Sequence, residues 1–176
     1  PDATGLSGIG ADALIPMGIA NPLPNGTNIF NTLASGHPRL LASMERFAWL
    51  QHQVAANPSG QPAQWYLSLS NTYARPLLTA SPVAYSTTDM LTPARNVLSR
   101  IYLCALVYRI SGDTNYAERA WTELNNAGSF PQWYNGASSL CYAEMTHAFA
   151  IGYDWLYDYW SASRRQSIAN SIVNLG

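Results

Sequence analysis

Ala143-Glu144-Met145-Thr146-His147-Ala148-Phe149-Ala150-Ile151-Gly152-Tyr153-Asp154-Trp155-Leu156-Tyr157-Asp158 carries apolar residues on nearly every side when wound at about 3.6 residues per turn, the pattern of a buried helix. Ser138 or Ser139 is placed to cap this helix, which the pattern carries to about Tyr159. An earlier stretch through Val97, Leu98, Ile101, Tyr102, Ala105 and Tyr108 reads the same way. It opens on Thr92 as N-cap with Pro93 at the first helical position, and Gly112 ends it. Each of these two helices is followed by one with a polar face. The first runs from Thr114 to about Asn126 with Asp113 as cap. The second runs from the Ser161 cap to Gly176 with Ile168, Ile172 and Val173 on its apolar stripe.

Working back toward the N-terminus, Ser43 caps a helix running to about Ala56, and Asn57-Pro58-Ser59-Gly60 ends it. Another runs from about Pro62 to Ala74 and stops before Pro76. No alternating strand pattern occurs, so the expected class is all-α. Helix starts at Ser43, Thr92 and Ser138 lie 49 and 46 residues apart, a spacing that suits helical hairpins in an array. An inner row of buried helices backed by an outer row fits the alternation of apolar and half-polar helices. Three hairpins form only part of a closed double ring, so the reading expects part of an (α/α) toroid over residues 37–176. Residues 1–36, rich in Gly, Pro, Asn and Ala with turn signals at Asn21-Pro22 and Asn25-Gly26, read as an irregular N-terminal arm.

Composition narrows the function. Of 176 residues, 11% are charged, against roughly 25% in an average soluble domain, and all nine basic residues are Arg. With a net charge of −1, the chain lacks the clustered cations of a nucleic-acid binder. A hydrophobic content of 48% excludes disorder, and no apolar run approaches the ~20 residues of a membrane span. The chain opens on Pro1 without a signal segment, as expected of a mature form or an excised segment. Cys104 and Cys141 allow either two buried thiols or one disulfide.

Several residues invite a chemical reading. Glu144 and His147 share a helix face at Glu-x-x-His spacing, but no second copy accompanies them, so no metal site and no cofactor is expected. A buried polar pair and a polar patch lining a substrate cleft both fit. Asp154, inside an apolar helix, requires a fixed partner such as an Arg or backbone N–H groups. Arg164 and Arg165 read as a solvated face. Two loops, 81–89 and 130–136, precede the apolar helices and therefore open at one end of the array. They carry Tyr85, Trp133, Tyr134 and Asn135, aromatics beside amides and hydroxyls, as sugar stacking demands; ordinary loop packing is the competing reading. The candidate substrate-binding set is Tyr85, Trp133, Tyr134, Asn135, Glu144 and His147. No nucleophile elbow, phosphate loop or zinc-ligand pattern is present.

His37-Pro38-Arg39-Leu40-Leu41, then Ala105-Leu106-Val107-Tyr108-Arg109-Ile110-Ser111-Gly112-Asp113 with Tyr116-Ala117-Glu118-Arg119-Ala120, then Ala143 to Asp158 follow one another in an order that resembles the N-terminal helical domain of the heparinase II/III-like and alginate-lyase-like polysaccharide lyases. The resemblance covers the chain from His37 onward. It implies an incomplete (α/α) toroid followed in the same polypeptide by later toroid helices and a β-sandwich. It also implies cleavage of an acidic, uronate-containing polysaccharide by β-elimination, in the periplasm or outside the cell, without nucleic-acid or membrane partners. That chemistry neutralises the uronate, removes the C5 proton with a base and protonates the leaving oxygen. The family's Asn-His pair and catalytic Tyr lie downstream of the matching segment, so no catalytic residue is carried onto this chain and the segment alone is expected to be inactive. The alternatives are a non-catalytic helical-repeat module binding carbohydrate or protein, and a toroid glycoside hydrolase. The latter would need two carboxylates facing a cleft, for which Asp89, Asp154 and Asp158 are poorly placed.

Overall fold

Ser43, Asp113 and Ser161 each start a helix by accepting a backbone N–H with the side-chain oxygen, as their sequence positions predict. The computed structural model describes residues 36–134, 136 and 138–176, and the arm expected over 1–36 falls almost wholly outside them. Within Gly36–Gly176, six α-helices form and no strand occurs among the described residues: α1 Met44–Ala56, α2 Gln61–Ser68, α3 Leu91–Ser111, α4 Thr114–Gly128, α5 Leu140–Trp155 and α6 Ala162–Leu175. The protein is all-α.

Three boundaries differ from the sequence reading, each for a local reason. After α2 the chain does not stop before Pro76. It widens into a π-helical stretch, Leu69–Ala74, and tightens into a 3₁₀ turn, Arg75–Leu78, whose early position tolerates a proline without an N–H. Asp89, rather than Thr92, caps α3, its carboxylate accepting from the N–H groups of Leu91 at 3.0 Å and Thr92 at 3.2 Å. Pro93 then falls within the first turn, where its missing N–H has no partner to lose. α5 ends at Trp155, not Tyr159. The Trp160 indole N–H turns back to donate to the Gly152 carbonyl at 2.8 Å, closing the chain into a turn.

The helices run as hairpins. α3 packs against both α4 and α5, and α6 against both α5 and α4. Down the α3–α5 seam, Arg95 meets Glu144, Tyr102 meets His147 and Arg109 meets the Trp155 carbonyl, so the two helices run parallel. Glu118 with Arg164 near one end and Gly128 beside Ser171 near the other give the same sense for α4 and α6. At Gly152 the helices approach so closely that a Cβ would stand 2.8 Å from Leu124 Cδ1 of α4 and 3.3 Å from Ile101 Cγ2 of α3, so any larger residue would displace both side chains.

Burial corrects the sequence reading of α3. It buries Pro93, Ala94, Val97, Ile101, Cys104, Ala105 and Val107, but turns Arg95, Asn96 and Ser99 outward. α4 is nearly as buried as α5, so partnership rather than burial separates the two rows. Arg164 and Arg165 are corrected as well. Arg164 grips Glu118 through two bonds, at 2.7 and 2.8 Å, and covers the Trp121 ring. Arg165 donates to the carbonyls of Tyr157 and Trp160. These guanidiniums close the end of α6 rather than face solvent. Cys104 and Cys141 are buried free thiols, and burial pushes Cys104 up to about 12.

At the C-terminal end of α3 and α5, the chain is fastened by Asp154. Its carboxylate accepts from His37 Nδ1 at 2.5 Å and from the backbone N–H groups of Arg39 and Leu40, both at 2.8 Å. This is the fixed partnership the sequence demands. His37 Nε2 lies 2.8 Å from an Arg39 guanidinium nitrogen, which can only donate, so this contact pairs with a proton carried on Nδ1 toward Asp154. The ring stacks on Tyr157 at 3.9 Å, and the Trp155 indole donates to the Leu40 carbonyl. Leu41 takes the left-handed conformation, φ 62°, immediately after the two anchored amides. The first and last stretches of the family resemblance thus form one structural unit.

Candidate functional site

From their N-terminal ends to mid-helix, α3 and α5 present a polar face. α3 places Arg95 and Tyr102 on one stripe, seven residues apart, and α5 places Glu144 and His147 opposite. Arg95 Nε stands 3.6 Å from Glu144 Oε1, with the Arg side chain 58% exposed and the Glu side chain 25%. One turn deeper, the Tyr102 hydroxyl and His147 Nε2 share a hydrogen bond of 2.6 Å, with the rings edge to face. Burial holds the Tyr102 hydroxyl above its usual range, so it stays protonated and able to donate. Tyr102 also sets its ring edge-on to Trp155, which fixes it from below.

Glu144 and His147 are therefore not a buried pair. Each is drawn to a partner on α3, and His147 is exposed. Sequence pattern alone does not single out Tyr102 and Arg95: Tyr102 falls at an apolar position, and Arg95 lies in the first turn of a helix expected to be buried. The available signal was the spacing of Arg95, Ser99 and Tyr102 by four and three residues along one stripe.

The two loops do meet at this end. Tyr85 packs edge-on against Phe130 at 5.4 Å, and the Gln132 amide donates to the Tyr85 hydroxyl at 3.4 Å. Tyr134 stacks on Tyr142 of α5 with centroids 5.1 Å apart and an interplanar angle of 27°. Tyr142 is 37% exposed. Asn135 lies outside the described residues. Trp133 is corrected: it is fully buried, its indole N–H donates to the Ala127 carbonyl at 3.0 Å, and its ring lies 4.5 Å from Phe149. Its N–H is satisfied and its faces are covered, so it is the floor beneath the loop and offers no stacking surface to a sugar.

The 79–90 loop is held by a side chain the sequence reading passed over. Glu123 of α4 is fully buried, accepts from Arg100 and Arg119, and takes the Val83 N–H at 3.1 Å. Arg100 also reaches the Ser81 carbonyl at 2.7 Å, and Asn126 the Val83 carbonyl at 2.7 Å. Two guanidiniums around one carboxylate give the buried charges full hydrogen bonding. The loop bearing Tyr85 is thereby pinned to α3 and α4.

Chemically, this face combines a partly exposed cation, a carboxylate, a phenol–imidazole pair and tyrosine faces. Among the described residues, no group of three or more His, Cys, Asp or Glu side chains could hold a metal ion, and no helix is long and apolar enough to cross a membrane. Compared with family models and with curated proteins, the chain finds no match.

Proposed function

We propose that this chain is the N-terminal helical portion of a polysaccharide lyase acting on a uronate-containing polysaccharide, with the α3–α5 face lining its substrate cleft. The observation that carries this reading is the exposed Tyr102–His147 pair midway along the α3–α5 seam, in line with Arg95 and Glu144 toward the end where both loops meet. Arg95 supplies a cation for a uronate carboxylate. The N-termini of α3 and α5 add partial positive charge at the same end, and Tyr134 and Tyr142 offer ring faces. On this reading, later toroid helices, a β-sandwich and the catalytic groups belong to the rest of the same polypeptide, in the periplasm or outside the cell. The hydrolase reading is the weaker one: Asp154 is saturated by three donors and Asp89 caps α3, so neither is disposed as an acid or a base.

The test is ultraviolet absorbance of the unsaturated uronate product, on alginate and on glycosaminoglycans. It compares the polypeptide containing this chain with residues 1–176 alone. The longer polypeptide is expected to turn over one of these polymers and the segment neither. In the longer protein, His147→Ala should raise KM by about tenfold with kcat and Tm nearly unchanged, the pattern of a lost binding contact. Binding without turnover by the longer protein would replace the lyase with a non-catalytic carbohydrate module, and turnover by the segment would overturn the placement of the catalytic groups.

A further inference from the structure

We propose that a groove of about 360 Å³ between α1, α2 and the C-terminal half of α3 binds a small amphipathic monoanion, an apolar chain or ring bearing one carboxylate. The groove lies apart from the α3–α5 face, and the proposal stands independently of the lyase reading. Trp49 of α1, Trp65 and Tyr66 of α2, and Leu106 and Ile110 of α3 form its walls, with Arg46 among them. Its volume falls within the range of small-molecule pockets, which are mostly apolar with a few orienting polar groups.

Two observations define the occupant. The first is bare aromatic surface: Trp65 is 66% exposed and Trp49 36%. An apolar body laid against these rings removes large areas from water, with a gain that scales with the area covered. The second is charge. Arg46 places its guanidinium carbon 4.6 Å from the Trp49 ring centroid, makes no ion pair among the described residues, and supplies the charge of the lining. A carboxylate at Arg46 would gain a charge-assisted bond while its apolar body fills the groove. A sugar fits poorly, because the walls offer few groups to pair hydroxyls taken out of water.

The experiment follows tryptophan fluorescence of the full 176-residue chain during titration with decanoate, with decanol, and with an alginate oligosaccharide. Decanoate is expected to saturate, with decanol weaker by on the order of tenfold and the oligosaccharide without effect. Arg46→Met should weaken decanoate by a similar factor and leave decanol unchanged. Trp65→Ala, at a position 66% exposed, should abolish both responses with the Tm little changed. Absence of saturation by decanoate would overturn the proposal, as would equal binding of decanoate and decanol or saturation by the oligosaccharide alone. Sedimentation closes the remaining route: concentration-dependent association lost in Trp65→Ala and unmoved by decanoate would assign the groove to a second copy of the chain and overturn the proposal.

Discussion

At the C-terminal end of the α3–α5 pair, Asp154 is buried and saturated by three donors; at the N-terminal end of the same two helices, Arg95 is 58% exposed and faces Glu144 across 3.6 Å. Both ends are polar, yet they do opposite things. The Asp154 end spends its hydrogen-bonding capacity on the chain itself, holding Arg39, Leu40 and His37, and leaves nothing for a ligand. The Arg95 end pairs side chain to side chain at the surface, so its groups keep capacity toward solvent. A polar cluster reads as a candidate site when its members remain under-committed, and as a structural anchor when backbone amides consume them.

The contrast extends inward, because the open end is polar only at its surface. Beneath it, Trp133 is closed over by Phe149 and the Ala127 carbonyl. Trp133→Ala is therefore expected to produce the largest loss, about 4 kcal/mol of unfolding free energy, through the cavity left by a fully buried indole. Denaturant unfolding checks it. A loss below about 1 kcal/mol would mean that the floor of the open end is as loose as its surface, and the comparison would break.

Asp154→Ala comes next, at about 3 kcal/mol, because Arg39 and Leu40 N–H groups and the His37 N–H lose their acceptor together. Hydrogen exchange sharpens the assignment: the Arg39 and Leu40 amides should lose protection in this variant while those in the middle of α4 keep theirs. Uniform loss across the chain would show that Asp154 supports the whole core rather than the fastening of residues 37–41.

The smallest effect concerns the thiols. Burial raises both Cys104 and Cys141, the former to about 12, so neither should react with an aromatic disulfide reagent at pH 8 on the timescale of free cysteine. Cys141 lies in the first turn of α5, at the open end, and should be labelled first, through local opening. Cys104, in the middle of α3, should wait for global unfolding. Mass spectrometry of partially labelled protein gives the order, and Cys104 reacting first would reverse the ranking of the two regions.

Much of this was legible in the residues. The caps at Ser43, Asp113 and Ser161 are local features, set by one side chain and the two or three residues after it, and the sequence reading placed them correctly. The requirement that Asp154 have a partner followed from the cost of burying a carboxylate, although nothing nearby in the chain named His37, 117 residues away. Trp133 shows the limit. An aromatic in a loop beside amides reads equally as a stacking surface or as a plug, and only the position of Phe149 decides between them.

The sequence by itself determined the all-α class, the number and approximate bounds of the helices, their hairpin spacing and the caps at Ser43, Asp113 and Ser161, because helical periodicity and capping act over at most a few turns. Tertiary structure alone decided that Tyr102 and Arg95 join His147 and Glu144, that Trp133 is buried, that Asp154 fastens residues 37–40, and that Glu123 holds a loop 40 residues distant. Those outcomes depend on which face of one helix meets which face of another, and so on packing and desolvation between segments far apart in the chain, which no local pattern encodes.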